Sequence, residues 1–196
     1  MPLQLIQAPT FEPLTIQEVK GQIHVDGATE DLLLESLIRT ARDQAQLLTG
    51  RQLATATYDY VLDSFPVCAQ KLELPLPPLQ SVEYVKYYDR QNELQTLSAE
   101  DYLVDRLASP GYLVPPIGCT WPKTWIRPDA VTVRMVCGYA EESGCPTTPE
   151  GIRRWMLLYI AALFAYREPL GIPSNLTLPR DYVEGLLDGH IVGRYP

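Results

Sequence analysis

Two changes of hydrophobic period set the outline of this chain. From Glu30 to Thr49 the apolar residues Leu34, Leu37, Ile38, Ala41, Ala45 and Leu48 recur every three or four positions, which puts them on one face of a helix. Beyond Leu53 the period falls to two: in TYDYVLDSF, Tyr58, Tyr60 and Leu62 alternate with Asp59, Val61 and Asp63. A helical period returns in TTPEGIRRWMLLYIAALFAYRE, where Ile152, Trp155, Met156, Tyr159, Ile160, Leu163 and Phe164 form a wide apolar face. A segment with helical spacing cannot bury the same residues as a strand, because side chains on a strand alternate between two faces. The fold class is therefore α+β. The simplest architecture joins both helical ends in one domain, residues 1–52 and 148–196, with a small, mainly antiparallel β-domain inserted at 53–147.

Local signals fix the helix ends. Thr15 and Glu18 have capping-box spacing, and Leu14 and Val19 sit where a hydrophobic staple closes. Gly21 weakens the middle of this first helix, which limits it to about ten residues. Gly50 is a stop for the second helix. For the third, Thr148 is the expected N-cap, Pro149 the first residue and Pro169 the terminator. Its nearly all-round apolar character suits a central core helix or a helix buried between subunits. A last short helix is expected in RDYVEGLLDGHI, followed by the tail VGRYP.

Six strands are expected in between: TYDYVLDSF, KLELPL, SVEYVKYYD, DYLVD, GYLVP and AVTVRMVCGYA. The stretch LPLPPLQSVEYVKYYD carries Pro75 and Pro78 at the PxxP spacing read by SH3-type grooves. Apolar alternation continues on both sides, so the prolines read as a rigid corner between strands, where the missing N–H costs no ladder bond. Pro75 marks its strand as an edge.

Composition narrows the function. Sixteen basic and twenty-four acidic residues leave a net charge of −8, against free binding to nucleic acid. Cys68, Cys119, Cys137 and Cys145 have no CxxC spacing, so no zinc site and reduced thiols are expected. The opening MPLQLIQAPTFEP lacks the basic and apolar regions of a leader. The longest apolar run, Trp155 to Tyr166, spans about 18 Å as a helix, short of a bilayer core of about 30 Å; a soluble protein is expected, without membrane contact. No catalytic pattern stands out: His24 and His190 have no partner at triad or ligand spacing, and Cys119 has no candidate base. No metal, cofactor or enzymatic activity is expected. The loop LASPGYLVPPIGCTWPKTWIRPD is unusually apolar, and its Trp121 and Trp125 either cover the end of the β-core or await a partner.

In order, GRQLATATYDYVLDSFP, LPLPPLQSVEYVKYYD, YLVDRLASPGYLVPPIGCTWP, AVTVRMVCGY and TPEGIRRWMLLYIAALFAYRE resemble the head–tail connector, or head-completion adaptor, family of long-tailed bacteriophages, prophages and gene transfer agents. The resemblance runs from about Leu14 to Ile191. It implies a ring of identical subunits, typically twelve, docked below the portal protein in the neck of a virion or phage-like particle, after assembly in the bacterial cytoplasm. The ring extends a channel through which DNA passes without specific binding, and supports the next neck or tail component (a stopper or tail terminator). It further implies a portal contact by the C-terminal segment, here Ile191, Arg194, Tyr195 and Pro196. Trp121, Trp125 and Arg127 then become candidates for a neighbour or tail contact. Twelve tyrosines and the paired tryptophans keep a different class open, a carbohydrate-binding β-module of a phage tail or baseplate.

Overall fold

The computed structural model describes residues 3–67, 70–142, 145–166 and 185–193. In chain order the elements are β1 (Leu3–Gln7), α1 (Ile16–Ile23), α2 (Asp31–Thr49), β2 (Ala56–Leu62), β3 (Leu72–Glu73), β4 (Leu79–Tyr88) and β5 (Leu94–Leu97). A 3-10 turn (Ala99–Asp101), β6 (Leu103–Asp105), β7 (Tyr112–Val114), β8 (Val131–Cys137), β9 (Glu141–Glu142), β10 (Cys145–Pro146) and α3 (Glu150–Ala165) complete them. Residues 185–188 form a closing helical turn. The fold is α+β, with antiparallel pairing throughout its sheets.

The chain divides into two compact units: Met1–Thr10 with Thr55–Tyr139, and Phe11–Ala54 with Ala140–Pro196. The first is the β-unit. Its larger sheet has the order β1-β2-β8-β4-β5, and a smaller one the order β3-β7-β6. On β8, Val131, Val133, Met135 and Cys137 are buried while Thr132, Arg134 and Val136 are not, as period two requires. Leu72, Leu74, Leu113 and Tyr102 complete the apolar cluster between the sheets. The corner behaves as a corner: Pro77 is buried, the Pro77–Pro78 bond is cis, and the Pro78 carbonyl accepts from Gly138 N–H at 2.9 Å.

The second unit is helical. Thr15 and Glu18 form the full capping box on α1, with Leu14 and Val19 buried as the staple. On α2, Leu34, Ile38, Ala41 and Ala45 are buried, and Gly50 closes the helix at φ 68°. On α3, Ile152, Trp155, Met156 and Ile160 are buried. Arg153 bridges Glu18 and Glu150, and Arg42 pairs with Glu12, so ion pairs flank the same core.

Four expectations need correction. Residues 1–10, expected in the helical domain at 1–52, belong to the β-unit, because Leu3–Gln7 pairs along β2 and satisfies its outer edge. At the other boundary, the β-unit ends at Tyr139 rather than 147, and the β9–β10 hairpin goes with the helices. The N-cap of α3 is Pro149, not Thr148, because the Thr148 hydroxyl donates instead to the Leu53 carbonyl at 3.0 Å. The third helix ends at Ala165, ahead of Pro169. Pro169 itself and the start of the last expected helix lie outside the described residues, as do Cys68 and the tail residues Arg194, Tyr195 and Pro196.

Packing requires a glycine at position 111. A Cβ on Gly111 would lie 2.9 Å from Leu79 Cβ and 3.1 Å from the Asp105 carbonyl oxygen, and neither atom can swing away. Gly111→Ala is expected to destabilise the protein by about 1–3 kcal/mol, the range for overpacking a filled core. Urea unfolding of both proteins measures this; an unchanged midpoint would show that β4 and β7 are less tightly apposed.

Candidate functional site

The groove at one end of the β-unit begins with where β2 and β4 stop. After β2 the chain continues through Phe65 and Pro66, and the apolar loop after β7 returns across the same end. Phe65 and Trp121 stack with centroids 4.9 Å apart and planes 2° from parallel, while Phe65 meets Tyr87 edge-on at 5.7 Å. Trp121 is 6% exposed, and its indole N–H donates to the Gln70 carbonyl at 2.8 Å. Burying an indole requires such a partner for its only donor. The loop is tied down again where Trp125 N–H donates to the Tyr88 carbonyl at 3.0 Å and Tyr88 N–H donates to the Ala130 carbonyl at 2.9 Å.

The two tryptophans therefore separate. Trp121 covers the core, whereas Trp125 is 46% exposed, near the almost fully exposed Ile126 and the exposed Val67. Between Val67, Trp121 and Trp125 lies a cavity of about 840 Å³, with exposed Arg90 and Lys123 at its rim and no carboxylate in its lining. Apolar walls with a few fixed polar groups are typical of a binding site. Arg127 stands beside this groove rather than in it. Its guanidinium lies 4.0 Å from the Tyr88 ring centroid, and Nη1 donates to Asn92 Oδ1 at 3.2 Å.

Arg134 donates to both oxygens of Asp59 at 2.8 and 2.9 Å, which holds its guanidinium firmly charged. Tyr84 lies within 4.9 Å of Arg134 and 4.3 Å of Lys86, so the cations on that sheet face are already engaged. His24 closes α1 in a left-handed conformation, its N–H donating to the Lys20 carbonyl. His190 has its pKa lowered by burial and by Arg51, which favours the neutral ring. Burial pushes the Cys137 thiol up to about 12, whereas Cys119 is exposed. Among the described residues no group of His, Cys, Asp and Glu could hold a metal ion, and no helix is long and apolar enough to cross a membrane.

Of the four residues expected to contact the portal, only Ile191 is described. It is half-buried, between His190, whose carbonyl accepts from Arg51, and Val192, whose N–H donates to the Thr49 carbonyl at 2.9 Å. The root of the tail is thus fixed to the end of α2. Sequence reasoning missed Phe65, Val67, Arg90 and Lys123. Phe65 and Pro66 directly after a strand were a usable signal, but a turn arginine such as Arg90 has no periodicity to reveal it.

An apolar groove with exposed cations at its rim has the make-up of a contact surface. The comparisons with known proteins give the chain a family. A family model described as "Phage gp6-like head-tail connector protein" matches residues 13–110, half of the chain. The chain belongs to this head–tail connector family. The match stops ahead of Trp121 and Trp125. Among solved structures, the fold resembles a chain in the neck of an empty gene transfer agent particle computed with C6 symmetry, with a TM-score of 0.79 and 16% identity, covering 100% of this chain and 98% of that one. It also resembles a chain in a native gene transfer agent virion (TM-score 0.77, 16% identity) and one in a native particle neck computed with C12 symmetry (0.75, 17%), each with the same coverage. No curated protein sequence matches the chain.

The division of labour between the tryptophans is testable by truncation. Trp121→Ala is expected to cost about 3–5 kcal/mol, the range for removing a buried aromatic. Trp125→Ala should stay within about 0.5 kcal/mol of the parent, as exposed positions do. Chemical denaturation of the two variants decides it; equal losses would contradict the assignment.

Proposed function

We propose that this connector is an adaptor subunit that assembles as a ring of twelve below the portal protein, extends the DNA channel and supports the next neck or tail component. The observation that carries the reading is the agreement over essentially the whole of both chains with proteins in particle necks solved with sixfold and twelvefold symmetry. Such a subunit needs interfaces and no catalyst. Ile191, Arg194, Tyr195 and Pro196 are assigned the portal contact, with the fixed root at Val192 and Thr49 giving the tail a defined starting point. Trp125 and Arg127, supported from beneath by Trp121, are assigned a contact with a neighbouring protein.

The net charge of −8 gives the DNA role a physical basis. Repeated around a ring, it repels phosphate, and DNA moves along the channel without being held. The protein is then a component of the neck of a virion or phage-like particle, built in the bacterial cytoplasm and passing to no membrane.

Deleting the gene in its source genome and imaging the released particles tests this reading. The expected result is separate tails beside tailless heads, some emptied of DNA. Complete tailed particles that fail only at cell attachment would overturn it and favour a carbohydrate-binding module of the tail or baseplate.

A further inference from the structure

A head-to-tail ring requires two different surfaces on each subunit, one complementary to the other, because each copy contacts its two neighbours with different faces. The β-unit carries two exposed surfaces of matching character. The first is the groove, with apolar Val67, Trp125 and Ile126 and the cations Arg90 and Lys123. Neither cation has a partner among the described residues, and the absence of any acid from the lining is notable on a chain of net charge −8. The second surface is the segment Glu100 to Val104. Glu100 and Asp101 are exposed and form no ion pair among the described residues, while Leu103 and Val104 are 57% and 37% exposed.

This second segment is ordered before any partner arrives. Ser98 Oγ accepts from Glu100 N–H, and Asp101 N–H donates to the Ser98 carbonyl at 3.0 Å. Tyr102 is anchored in the core at 7% exposure, so the residues on either side of it are held outward. Leu103 and Val104 belong to β6, an outer strand of its sheet, paired only with β7 among the described residues. An outer strand with exposed aliphatic side chains and an unused edge is a site that proteins normally shield. No residue of 99–107 lines the groove, so one copy can use both surfaces at once.

We infer that the groove of one subunit receives the Glu100–Val104 segment of the next copy, and that this contact joins neighbouring β-units around the ring. Leu103, which points away from the core side taken by Tyr102, meets Trp125 and Ile126, and Glu100 and Asp101 face Arg90 and Lys123. The inference rests on the ring reading proposed above and specifies its subunit contact. Apolar contact supplies most of the attraction, and charge selects the register and rejects wrong neighbours.

Paired charge reversals in the full-length protein test this, introduced into the deletion background and read by electron microscopy and by counting copies per particle with quantitative mass spectrometry. Variant one carries Arg90→Glu and Lys123→Glu; variant two carries Glu100→Lys and Asp101→Lys. Each alone sets like charges across every junction and should lower the yield of tailed particles about tenfold or more. Co-expressed, the two alternate around an even-numbered ring, every junction is attractive again, and tailed particles return. A chain carrying all four substitutions should also assemble by itself. Rescue excludes misfolding as the cause of either single defect. The contact is overturned if the separate variants assemble normally, or if neither co-expression nor the fourfold variant restores particles, in which case the groove serves another neck protein. A parental count of one or two copies per particle would instead overturn the ring reading itself.

Discussion

Strand β8 is the constraint on which the rest of the β-unit depends. It pairs along its whole length with β2 on one side and β4 on the other, strands that enter the sheet more than forty residues earlier in the chain. Its four inward side chains, Val131, Val133, Met135 and Cys137, are all fully buried. Such non-local pairing brings a loop-closure cost before its contacts form, and apolar burial at about 25 cal/mol per Å² is the term able to offset it. With β8 in place, β2 and β4 end on either side of it at the same end of the sheet, and the loop leading into β8 has to cross that end. The groove follows from this topology rather than from a dedicated motif.

Covering that end uses one aromatic residue and releases another. Trp121 joins Phe65 and Tyr87 in closing the core, and its hydrogen bond to Gln70 removes the penalty of burying the indole N–H. The short span to Trp125, tied to Tyr88 through its backbone, then leaves the second ring facing solvent. A rigid floor beneath an exposed tryptophan reduces the ordering cost of a contact made there. The helical unit shows a comparable arrangement: the last described turn is locked to α2 through Arg51 and Thr49, so the chain passes Val192 at a fixed point.

The sequence made most of the fold legible where local chemistry and periodicity agreed. The Thr15–Glu18 capping box, the α2 stripe closed by Gly50, the Pro77–Pro78 corner and the alternation of β8 all fold as their patterns require. Strand β1 was missed because LQLIQ is an outer strand, held mainly by backbone pairing to β2 and exposing Leu5 and Ile6, so burial imposes no strict alternation on it. Strand β5 was missed for a related reason, since LQTL is short and exposes Leu94. At α3 a local preference lost to a tertiary one when the Leu53 carbonyl took the Thr148 hydroxyl. In the site, the tryptophans could be singled out but not told apart. Which of them is buried depends on Phe65 and Gln70, some fifty residues earlier in the chain, and no local pattern encodes that meeting.

Where the chain sits in its particle decides whether it is a neck adaptor. A cryo-electron microscopy reconstruction of the neck of particles carrying this protein, without imposed symmetry at the first stage, gives the answer. The expected density is a closed ring of twelve copies immediately below the portal, enclosing the DNA path. Density for the chain at the far end of the tail, or a single copy at the vertex, would contradict it.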